Sequence, residues 1–60
     1  MKVTYKDDFN KQVILEVTNI NGRVCLFVTR DNRVYREVFT DNIAKQLSEA
    51  LLNNIKEGKR

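Results

Sequence analysis

The chain has 60 residues and a net charge of +3, with one cysteine and neither histidine nor proline. An internal disulfide and a cysteine–histidine zinc site are therefore excluded. A chain this short buries only about 60% of its unfolded surface, so stability is marginal and self-association is the staple left to it.

Residues 2–6 alternate, with Val3 and Tyr5 on one side and Lys2, Thr4 and Lys6 on the other, which predicts a short first strand. Asp7-Asp8-Phe9-Asn10 supplies turn chemistry, because Asp and Asn side chains bond to nearby backbone. Phe9 is expected to fold back onto the core, the alternative being an exposed anchor for a partner. Two apolar runs, 12–20 and 23–30, flank Asn21-Gly22. Asn-Gly between apolar runs marks a type I′ hairpin, whose two central residues both need φ > 0. Asp31-Asn32 makes a second tight turn into a strand over 33–39, since both residues tolerate the left-handed region. Thr40 can cap a helix and Asp41 suits its first turn. Ile43, Ala44, Leu47, Ala50, Leu51 and Ile55 then recur at helical spacing, and Gly58 marks the stop, so the helix is predicted over about 41–56. Leu52 falls outside that stripe.

The fold class is therefore α+β: a four-stranded antiparallel meander, β-β-β-β-α, with one C-terminal helix packed on one face. Residues 1–58 form a single domain and 59–60 a disordered tail. A two-residue loop fixes the register of the first hairpin. At the second, a two-residue loop is preferred because it puts the aromatics over the core, while a three-residue loop would swap the faces of the fourth strand, since side chains alternate. Val17 faces Leu26, Leu15 faces Val28, and Tyr35 and Phe39 join them on a nearly apolar face, here called face A. The helix is expected to cover face A and close the core. Ile14, Ile20, Cys25, Phe27, Val34, Arg36 and Val38 fall on the other, mixed face, face B. Left bare, it would expose a patch of several hundred Å², the size at which apolar surface marks a contact site.

Catalysis is not expected. There is no histidine to act as a base near neutral pH, and Cys25 sits mid-strand among apolar neighbours. Turn and capping roles account for Asp7, Asp8 and Asp41, so no metal site is expected. With Gly22 and Gly58 the only glycines, there is no phosphate-cradling loop. No cofactor is implied.

The reading that follows is a small non-enzymatic binding protein, of regulator or inhibitor type. It homodimerises and binds a protein partner through the uncovered sheet face. The interface residues are Ile14, Phe27, Val34, Arg36, Val38 and Leu52. Packing of two B faces would make a symmetric dimer, and pairing of the open edge strands is the other route. The alternative is a nucleic-acid-binding domain using the sheet face and the hairpin arginines Arg23, Arg30, Arg33 and Arg36, since sheets can enter the major groove and arginine reads guanine and phosphate. Otherwise those arginines are solubilising charge, with Asp31 and Glu37 as local partners. Charge is spread along the chain: residues 1–39 hold seven cations and five acids, and residues 40–60 hold four and three. No apolar run approaches the roughly 20 residues of a membrane span, the N-terminus lacks a signal peptide's apolar segment, and the lone thiol suits a reducing cytoplasm. The compactness would suit a phage or mobile-element accessory protein.

Overall fold

A computed structural model describes the backbone of residues 1–58 and the side chains of residues 1–55. Strands β1 (Lys2–Lys6), β2 (Gln12–Ile20), β3 (Arg23–Arg30) and β4 (Arg33–Phe39) precede one helix, α1 (Asp41–Gly58). The four strands form one antiparallel sheet in chain order, as the meander requires. The helix reaches Gly58, two residues beyond its expected end. The tail expected at 59–60 lies outside the described residues.

Turn chemistry sets the register. Asn21 and Gly22 have φ of 53° and 80°, and Asp31 and Asn32 have φ of 52° and 63°. Both hairpins therefore close with two left-handed residues, the I′ geometry that matches strand twist. The Asn19 Oδ1 accepts the Gly22 N–H at 3.0 Å and braces the first turn. Ile20 then pairs with Arg23, Val17 with Leu26, and Leu15 with Val28. Val28 in turn pairs with Tyr35, Leu26 with Glu37, and Val24 with Phe39. At the β1 edge the Met1 ammonium donates to the Val17 carbonyl at 3.0 Å, and the Val17 N–H donates to the Met1 carbonyl at 2.9 Å. Met1 thus extends the ladder by one residue.

The β1–β2 loop is organised by Asp7. Its Oδ1 accepts the N–H groups of Phe9 and Lys11, each at 2.9 Å, and Asn10 takes φ 61°. This ring leaves Phe9 at its tip, 82% exposed. Phe9 therefore does not fold back: the loop closes on its own hydrogen bonds, and no covering layer reaches it.

The helix starts at Thr40, whose carbonyl accepts the Ala44 N–H at 3.0 Å and whose Oγ1 accepts the Ile43 N–H at 3.4 Å. Thr40 is the sole residue between β4 and α1. So short a link ties the helix to the β4 edge. Among the described residues it comes close only to β3 and β4. The expected closed core is accordingly absent. Among the described residues Val13 and Cys25 are the only buried apolar ones, and the stripe residues Leu47 and Leu51 remain 41% and 60% exposed.

The overall dimensions agree. The chain is a plate of 36 × 34 × 15 Å with a radius of gyration of 13.2 Å, where a compact domain of this length has roughly 10.4 Å. It exposes 5424 Å², where surface scaling for 7.1 kDa gives roughly 4,100 Å², an excess of roughly 1,300 Å².

Candidate functional site

Two apolar surfaces stay open, one on each side of the sheet. Face B is built as rows across the strands. Ile14, Thr29 and Val34 form one row, Glu16, Phe27 and Arg36 the next, and Thr18, Cys25 and Val38 the third. Lys2 extends the middle row and Thr4 the first. Cys25, small and central, is closed over by its neighbours. Phe27 and Ile14 are half-buried, whereas Val34 and Val38 are exposed.

Five of the six residues expected at a protein interface therefore share this face: Ile14, Phe27, Val34, Arg36 and Val38. Leu52 does not join them. It sits, exposed, on the helix, which lies against the opposite side of the sheet. Strand parity also places Lys2, Lys6, Arg23 and Arg36 on face B, against Glu16 as its one acid. The apolar centre thus has a mostly cationic surround.

The four arginines do not converge. Arg30 and Arg33 pair across the second turn on face A. Arg36 and Arg23 are on face B, with Arg23 at the opposite end of β3, roughly 24 Å from Arg30 at strand spacing. Arg30 is already engaged, its Nε 3.5 Å from the Asp7 Oδ2. Asp31 accepts from the Lys11 ammonium at 3.1 Å, so the acid expected to partner an arginine is taken by a lysine. The Asp7 carboxyl is held below the ordinary carboxylate range. The Lys11 amide N–H is the main cause, with the Phe9 N–H and the charges of Arg30 and Lys11 adding to it against partial desolvation.

On the other side, the helix and face A enclose an open groove of about 350 Å³. Its floor includes Val3, Leu15, Val17, Val24, Leu26 and Phe39, and its helical wall is Ala44, Leu47, Ser48 and Leu51. Ser48 is the one polar residue in that lining, and its hydroxyl is spent on the Lys45 carbonyl at 2.8 Å. Sequence reasoning expects Leu15, Val17, Val24, Leu26, Phe39, Ala44, Leu47 and Leu51 in a closed core, but not Val3 or Ser48. The missed signal was the single residue allowed between β4 and α1.

Among the described residues no group of three or more metal-ligating side chains gathers, and no helix is long and apolar enough to cross a membrane. The fold and its surfaces define a four-stranded meander with one leaning helix. No protein-family profile, curated protein or solved structure matches the chain.

Proposed function

We propose that this chain is a small non-enzymatic binding protein of regulator or inhibitor type, which homodimerises and engages a protein partner through face B. The observation that carries the reading is the run of Ile14, Phe27, Val34 and Val38 over three adjacent rows that no helix covers. Mixed surfaces of this kind, with an aromatic centre and arginine beside it, suit partners that come and go. The cationic surround selects a partner with an apolar patch rimmed by acids. The absence of histidine and the burial of Cys25 support a non-enzymatic role. A cytoplasmic setting is part of the same proposal and rests on the lone reduced thiol.

The test is recovery of bound proteins by the tagged wild-type chain and by Phe27→Asp and Arg36→Glu, with circular dichroism confirming that each variant keeps its helix. A protein held by the wild type and lost from both variants is the expected result. Identical recovery would overturn the assignment of face B. Binding to duplex DNA at low salt that falls steeply as salt rises would replace this reading with the nucleic-acid one, since that is the mark of counterion release.

A further inference from the structure

We infer that the groove between α1 and face A is the seam of a symmetric dimer, each copy laying its helical stripe into the groove of the other. The inference rests on the self-association in the reading above and names the surface that performs it. Three observations converge on a second copy of this chain.

The first is area. The surplus of roughly 1,300 Å² that one chain exposes beyond a folded monomer of its mass belongs to the whole chain, both open faces included, and comes to roughly 2,600 Å² over two copies. Stable homodimers begin at about 2,000 Å² in total.

The second is composition. Homodimer seams are more apolar than surfaces that meet other proteins. The groove lining is apolar but for Ser48, and face A's charges, Arg30, Arg33 and Glu37, lie outside it, whereas on face B Glu16 and Arg36 flank Phe27 in its own row. Of the two open surfaces, the groove has the character of an interior.

The third is self-complementarity. The groove needs a ridge of apolar side chains, and this chain exposes one. Ile43, Leu47, Leu51 and Ile55 run along α1 with roughly two-fifths to three-fifths of their surface exposed. A two-fold axis lets the same patch serve as ridge and as groove, so the contact closes at two copies and does not propagate into a fibre. Within one chain the helix leaves the groove open, coming close only to β3 and β4 among the described residues.

The test is sedimentation of the wild type, Leu47→Asp and Phe27→Asp across concentration, joined to isotope-filtered NMR on a mixture of labelled and unlabelled wild-type protein. The expected result is a wild-type dimer whose dissociation constant rises roughly thirtyfold or more with Leu47→Asp, the scale of a central contact residue, and is unchanged by Phe27→Asp. Intermolecular signals should connect the Leu47 and Leu51 methyls to those of Leu15 and Val17. The NMR arm needs no substitution, so it decides the matter even if Leu47→Asp does not fold. A dimer broken by Phe27→Asp, with intermolecular signals from Phe27 and Val38, would overturn the groove assignment and leave self-association standing. A wild type that stays monomeric at millimolar concentration would overturn both.

Discussion

The two sides of this sheet share one backbone and one register, yet they stop short of closure in different ways. Face B has no covering element. Its small central Cys25 is sealed by strand neighbours, and charged side chains ring the half-buried Phe27. The groove side has a cover that does not reach: α1 leans from the β4 edge, and Leu47 and Leu51 hang over Leu15 and Val17 without sealing the space. The contrast teaches that an amphipathic helix beside an apolar face does not by itself make a core. The link joining them must also let the axes approach.

The largest test of the contrast compares adjacent strand residues on opposite sides. Leu26→Ala on the groove floor is expected to cost about 2 kcal/mol per chain, the low end for a truncated leucine, because one chain leaves it half-buried and the second copy completes its cover. That cost should grow with protein concentration in chemical denaturation. Phe27→Ala on face B should cost about 1 kcal/mol, independent of concentration, because the ring is only partly out of water. Equal costs would erase the distinction between the sides. Gly22→Ala is next, at about 1 kcal/mol, because an added Cβ meets nothing within 4 Å and the penalty is confined to the left-handed backbone. Since the turn serves both sides alike, thermal melts should show it lowering stability without altering association.

Thr40→Ala should cost about 0.5 kcal/mol, the low end for a lost helix cap, given the long 3.4 Å bond to Ile43. Loss of helix signal by circular dichroism before sheet signal would place the effect at the link. The smallest effect is expected at Asp7. Its carboxyl loses its proton more readily in the folded chain than in the unfolded one, so its contribution is whole above about pH 4 and is lost as pH falls through the lower folded value. Melting temperature measured against pH should fall on the acid side, and Asp7→Asn should flatten that fall.

Strand limits, both turns and the first hairpin's register were legible because Asn21-Gly22 specifies geometry locally and period-two alternation then assigns side chains to faces. The second register was open between two loop lengths, because Asp31-Asn32 lacks the glycine that would fix a two-residue turn, and the pairing of Val28 with Tyr35 settles it. The Thr40-Asp41 start was legible for the same reason. The cover of face A was not, because it depends on how one linking residue aims an entire helix, which periodicity does not encode. Phe9 misled because hydrophobicity was weighed without the hydrogen bonds that Asp7 makes around it. The split of the arginines was implicit in the register, since Arg30 and Arg36 differ by strand parity once the second loop has two residues. Of the expected interface set, Leu52 is the residue the fold places on the other layer.

The two I′ turns also bear on how the molecule forms. Every strand pairs with its neighbour in sequence, so the meander zips from local hairpins, which form in microseconds. Meeting of two chains is a bimolecular encounter and slows on dilution. In refolding, a phase whose rate climbs with protein concentration would report the seam, and a phase indifferent to it would report the meander.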